Sequence, residues 1–208
     1  MSSAQAAETE KEVVETLQKL GATVTRDERS PDHPVVGVKF NFNRVPDGLL
    51  KRLRLFRQLQ ALDLSGSYVS EDDLKDLSHF KRLQSLSLRD CALKPAHLKI
   101  LATLKSLESL DLRHSGVMIA ERPDSREQDA PSRPDDAPPR GGGRKPRPAA
   151  REQLRSSPLR ELAALPKLER LDLGANNLRD ENLKDLAGLK HLRVLSLESN
   201  YTSLGAGL

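Results

Sequence analysis

Apolar residues in this chain recur on a fixed grid. With the first apolar position of each unit set at offset 0, the units begin at Val35, Leu59, Leu83, Leu107, Leu168 and Leu192, in steps of 24, 24, 24, 61 and 24. Offset 3 is Val38, Leu62, Leu86, Leu110, Leu171 and Leu195, and offset 5 is Phe40, Leu64, Leu88, Leu112, Leu173 and Leu197. Apolar residues two apart, with polar residues between them, have the period of a strand with one buried face. The second half of each unit carries leucines three apart, as in Leu74, Leu77, Phe80 and again Leu183, Leu186, Leu189, which predicts a short helix. Each unit therefore reads as strand, turn, helix and return turn. A unit this small buries its apolar face only by stacking on the next copy.

Polar positions repeat as well. Offset 8 runs Asn43, Ser67, Cys91, Ser115, Asn176 and Asn200. The chain leaves the strand there, and an amide, hydroxyl or thiol at such a corner can bond inward-pointing backbone groups of the neighbouring turn. Cys91, the single cysteine, falls in that column, which predicts a structural thiol and leaves neither a disulfide nor a cysteine-rich metal site.

Segments outside the grid divide the chain. Residues 4–20 predict a helix, with Val13, Val14, Leu17 and Leu20 on one stripe and Gly21 as its terminating residue. Ala22 to Arg26 reads as a short strand, followed by the turn-rich link Ser30-Pro31-Asp32-His33-Pro34. Residues 1–34 thus form an N-terminal helix–strand cap over the first repeat. Repeats occupy 35–117, and the step of 61 leaves 37 residues beyond one repeat. That excess lies within 118–157, rich in Pro, Arg, Gly and Asp and almost devoid of apolar residues, which predicts a disordered insert. Repeats resume over 158–208, and the last unit carries no return helix. The expectation is an open end, with end-to-end self-association as one way to cover its leucines.

The stretch 168–176, L-E-R-L-D-L-G-A-N, resembles the core of a leucine-rich repeat, L-x-x-L-x-L-x-x-N/C-x-L. The turn sequences V-S-E-D-D-L-K-D-L (69–77) and L-R-D-E-N-L-K-D-L (178–186) look like those of short bacterial-type repeats. These are similar to the cysteine-containing and ribonuclease-inhibitor-like classes. The resemblance implies a curved, right-handed α/β solenoid, with a parallel sheet on the concave face and short helices on the convex face. It also implies a non-catalytic role in binding proteins through the sheet. Some family members are substrate receptors of ubiquitin ligases, but no adaptor-binding box stands in this sequence. General protein binding by an unidentified partner is what carries over.

Composition narrows the picture. Aromatics are 3% of 208 residues, so the core is aliphatic, and a formal charge of +4 is too small to argue for nucleic acid by itself. No apolar run approaches the roughly 18 residues of a membrane span, and no signal-peptide pattern opens the chain; the expected location is cytoplasmic. No phosphate-binding loop, nucleophile elbow or histidine pair with metal-ligand spacing occurs, so neither an enzyme, a cofactor nor a metal is expected. His33, His79, His97, His114 and His191 are expected mostly as solvated residues of turns and outer helices. His114 stacks one repeat from Asp90.

If offsets 3 and 5 face the core, offsets 2, 4 and 6 face the concave surface. Asp63, Arg89, Asp111, Arg113, Arg170 and Asp172 are then the candidate partner-binding residues. Asp111 and Asp172 become strand neighbours, and such a like-charge pair needs compensation, for which Arg113 and Arg170 lie on the diagonals. A second candidate is the basic half of the insert, where Arg140, Arg144, Lys145 and Arg147 offer weak contacts to nucleic acid.

Overall fold

The computed structural model describes residues 9–40, 45–117 and 158–202. The expectations placed on Asn43, on 118–157 with Arg140, Arg144, Lys145 and Arg147, and on 203–208 lie outside those residues.

Helix α1 (Glu10–Lys19) begins later than the predicted range of 4–20, because Thr9 takes extended backbone and forms a reciprocal capping box with Glu12. It ends as the sequence implied. Gly21 adopts φ +79°, its N–H bonds the carbonyl of Gln18, and the N–H of Ala22 bonds that of Leu17. Those two bonds are a Schellman motif, which needs a residue free to enter the left-handed region. Strand β1 (Thr23–Arg26) then pairs antiparallel with β2 (Val35–Lys39). Val13, Val14 and Leu17 of α1 are buried in the same apolar cluster as the repeats, so helix and strand close the first core layer.

From β2 onward every strand pairs parallel with the next: β3 (Ala61–Asp63), β4 (Ser85–Ser87), β5 (Ser109–Asp111), β6 (Arg170–Asp172) and β7 (Val194–Ser196). The registers Leu62↔Leu86, Leu86↔Leu110 and Leu110↔Leu171 align offset 3 with offset 3. The pairing of β5 with β6 is in the same phase as the rest, despite the long step in sequence. The convex side carries α2 (Leu49–Arg52), α3 (Glu71–Leu77), α4 (His97–Leu101) and α5 (Asp180–Leu183), with 3-10 turns at Leu53–Leu55, Pro158–Ala164 and Lys184–Gly188. A helix needs about 10 Å of width against under 5 Å for a strand, so the helical side becomes the outside of the curve. Leucines at offsets 0, 3 and 5 are buried from Leu59 to Leu173. In β7 that changes: Leu195 is 39% exposed and Val194 52%.

Short helices need their ends satisfied, and a recurring device does this. Asp73 Oδ2 accepts the backbone N–H of Ser70 at 3.1 Å, His97 Nδ1 that of Lys94 at 3.2 Å, and Asn182 Oδ1 that of Arg179 at 2.9 Å. All three acceptors stand at offset 14 and all three donors at offset 11. This corrects the expectation of solvated histidines at one position, because His97 is buried. To accept, its Nδ1 must be unprotonated, which assigns the proton to Nε2.

Candidate functional site

On every central strand the offset-2 and offset-4 side chains are exposed or half-buried while offset 3 is buried, so the concave columns stand where the two-residue period put them. The aspartates at offset 4 share one bonding pattern. Asp63 Oδ1 accepts the N–H of Ser65 at 3.0 Å, Asp111 Oδ1 that of Arg113 at 2.9 Å, and Asp172 Oδ1 that of Gly174 at 2.8 Å. A short acidic side chain bonding its own backbone two residues on is an Asx turn. The repeated L-D-L wording thus has a structural reason: the carboxylate ends the strand. One oxygen of each group is committed to that bond.

The second oxygens differ along the sheet. Asp63 Oδ2 lies 3.4 Å from Lys39 Nζ. Burial alone would raise the Asp63 carboxyl, but the Ser65 hydroxyl and backbone N–H, with the Lys39 ammonium, outweigh it and hold the group below its usual range. Ser65 Oγ lies 2.5 Å from Asp63 Oδ1 and 2.8 Å from Ser87 Oγ, and Ser87 Oγ lies 3.4 Å from Asp111 Oδ2. A hydroxyl has one proton. With Ser65 donating to Asp63 and Ser87 to Ser65, the two short bonds are made, and Asp111 Oδ2 keeps only the long approach.

Asp111 and Asp172 are register partners, as the grid required. Arg113 is the cation beside them. Its Nη1 reaches Glu198 Oε2 at 2.8 Å by lying across Gly174, where a Cβ would stand 3.2 Å from that nitrogen and 3.1 Å from Asp172 Oδ1. The Arg113 guanidinium is held further above its ordinary range first by the hydrogen bond it donates to Glu198, with the charges of Glu198, Asp172 and Asp111 adding to it. Sequence reasoning missed Glu198 and the role of Gly174. Both stand in the offset-6 column, and the signal was an empty position between two opposite charges. Arg170 is exposed, and among the described residues no ion pair engages it. Arg89 lies toward the exit turn, 3.7 Å from Asp90, whose Oδ1 meets His114 Nδ1 at 2.6 Å. The structure therefore gathers Asp111, Arg113, Arg170 and Asp172 on adjoining strands, while Asp63 and Arg89 lie on earlier repeats.

Beneath this surface the offset-8 column supports the turns. Asn176 donates to the carbonyls of Leu112, Leu173 and Gly174 and accepts from the N–H groups of Ser115 and Gly116. Asn200 repeats the pattern one rung on, accepting from Asn176 and Leu178. Cys91 is buried and donates to the carbonyl of Leu64 at 3.1 Å. Burial, above all, raises its thiol to about 11, so at neutral pH it is a structural donor and not a nucleophile. Among the described residues, no group of three or more His, Cys, Asp or Glu side chains is arranged to hold a metal ion. No helix among them is long and apolar enough to cross a membrane.

No protein-family model matches the sequence, and no curated protein matches it either. Solved structures do. The chain is similar to internalin C2 from Listeria monocytogenes at 19% identity and TM-score 0.51, over 81% of this chain and 54% of that one. It therefore spans about half the length of that internalin chain. It is also similar to the LRR ectodomain of the receptor kinase SOBIR1 from Arabidopsis thaliana (14% identity, TM-score 0.40, 94% of this chain and 97% of that one). A third likeness is to internalin F from Listeria monocytogenes (18%, 0.37, 73% and 44%). The fold is a curved α/β leucine-rich repeat solenoid, with the sheet inside and the helices outside.

Proposed function

We propose that this chain is a non-catalytic protein-interaction scaffold that binds its partner on the concave sheet, through Asp63, Arg89, Asp111, Arg113, Arg170 and Asp172. The observation that carries the proposal is the Asp111–Asp172 pair. Both carboxylates are fixed by their Oδ1 atoms on stiff, paired strands, with Arg113 alongside and Arg170 exposed on the same rungs. Charged groups held in place before binding lose little freedom on binding, and alternating signs favour a partner of complementary pattern. We assign the repeats to the short bacterial-type class, similar to the cysteine-containing and ribonuclease-inhibitor-like classes, on turns like 69–77, where Ser70 and Asp73 form a capping box at the start of the helix. Internalin C2 is the neighbour that supports the scaffold at the level of fold.

The test replaces the three arginines together. R89E/R113E/R170E is expected to remain folded, because all three side chains are exposed or half-exposed, and to lose most of its binding to a partner captured with the unaltered chain. Unchanged affinity in the folded variant would remove the concave face from consideration.

A further inference from the structure

Each repeat approaches its strand through a return turn, and that rim is basic. Offset −2 holds Arg57, Lys81, Lys105 and Lys190, one per repeat from β3 onward except before β6, where Pro166 stands and Lys167 follows; Arg82 adds a further cation. All six are exposed. The sheet register places the offset −2 positions in a row with rungs about 4.8 Å apart, roughly 19 Å from Arg57 to Lys190. The opposite, exit rim is mixed, with exposed acids Glu71, Asp72, Asp90, Asp180 and Glu181 interspersed with exposed Arg89, Lys94 and Arg179. Parallel strands require every helix to run the same way, and anions at helix starts with cations beyond their ends are locally favourable. Stacking turns that local preference into a basic stripe along the return rim, while the exit rim stays mixed in sign.

Some of the row has a local role. Lys81 Nζ donates to the carbonyl of Ser78 and Lys105 Nζ to that of Ala164. Those bonds use one donor of each ammonium and leave its charge in place. Acidic compensation near the row is sparse and uneven. Glu108 and Glu169 stand at offset 1 of the later repeats, with Arg193 Nε 3.8 Å from Glu169, while the same offset holds Gln60 and Gln84 earlier.

We propose that this return rim is a second interaction surface, which docks an extended Glu/Asp-rich segment of a protein partner. Spacing and sign fit a chain of carboxylates. Two observations favour a peptide over a nucleic acid. The exposed aromatic side chains among the described residues, Tyr68 and Tyr201, both lie at the exit turns, so the basic rim has no platform for base stacking. Glu108 and Glu169 would repel an unbroken phosphate backbone, whereas a peptide sets a neutral or basic residue opposite them. The surface is separate from the concave patch, so the two proposals fail separately.

The experiment measures binding of a labelled Glu-rich peptide, and of a poly-uridylate RNA, to the full chain at low and moderate salt. The peptide is expected to bind, to weaken as salt screens the row, and to lose about tenfold or more in R57E/R82E/K167E/K190E. That variant spares the two lysines that bond carbonyls; the paired variants R57E/R82E and K167E/K190E, each with a smaller loss, guard against misfolding of the fourfold one. R89E/R113E/R170E is expected to leave peptide binding unchanged. Absence of peptide binding, binding indifferent to the rim reversals in folded protein, or tighter binding of the RNA than of the peptide would each overturn the proposal.

Discussion

At the scale of single residues, the offset-8 column shows how one position serves different chemistry in different repeats. Asn176 is fully enclosed and joins two turns through both ends of its amide, whereas Asn200 makes the same number of backbone bonds from a half-exposed position. Truncation to alanine leaves the N–H groups of Ser115 and Gly116 and the carbonyl of Leu112 without that partner inside the core. At 1–3 kcal/mol for each group left unsatisfied, less what water recovers, N176A is expected to cost about 3 kcal/mol. N200A, at a half-exposed rung, should cost about 1 kcal/mol. Denaturant melts of the two variants check this, and equal losses would mean that burial does not set the strength of the ladder. The column was legible in sequence because its members share donor and acceptor capacity at a fixed offset. Its neighbour was not. Offset 7 is left-handed in Gly66, Asp90, His114, Ala175 and Ser199, with φ between 51° and 71°. These side chains have nothing in common, and the requirement comes from the backbone bend; only the glycine hinted at it.

At the scale of elements, the helices are too short to hold themselves, since nucleating a first turn is unfavourable and few bonds follow it. Their ends therefore matter more than their interiors. The offset-14 acceptors are a carboxylate, an imidazole and an amide, so no residue-type pattern marks them, and His97 reads in sequence as an ordinary polar surface residue. Its role follows once Asp73 and Asn182 are superposed on it. H97A is expected to destabilise the chain by about 1 kcal/mol, the usual cost of a lost helix cap, and H97D to recover most of that. Thermal melts of both variants at neutral pH provide the check. If H97D is no better than H97A, then packing of the imidazole, not capping, is what the position supplies. The concave site was half legible for a related reason. The register of Asp111 against Asp172 follows from the grid alone. The reach of Arg113 over Gly174 to Glu198 depends on a side-chain path that the grid does not contain.

At the scale of the whole molecule, the solenoid has to keep its phase across the long step between β5 and β6. The pairs Ser109↔Arg170 and Asp111↔Asp172 have the register of every other parallel pair of strands. Nothing in the pairing of the repeats on either side is altered to accommodate 118–157, so their length should matter only through closure of the connection. Subtracting one repeat from the step leaves 61 − 24 = 37 residues, so replacing the 40 residues of 118–157 by three restores the ordinary spacing. Shortening the connection from 40 residues to three, about thirteenfold, lowers the logarithmic closure cost by about 2.3 kcal/mol. The shortened chain is therefore expected to unfold at an equal or slightly higher denaturant concentration. It should also form a disulfide between cysteines placed at Ser109 and Arg170, whose Cα atoms as parallel neighbours lie within the span such a bridge tolerates. A three-residue replacement keeps offset 3 against offset 3. A loss of several kcal/mol on shortening, or failure of the bridge to form, would mean that 118–157 contribute to holding β6 on β5. Retention of both would establish the repeats, and not their connection, as the source of the register that builds the concave site.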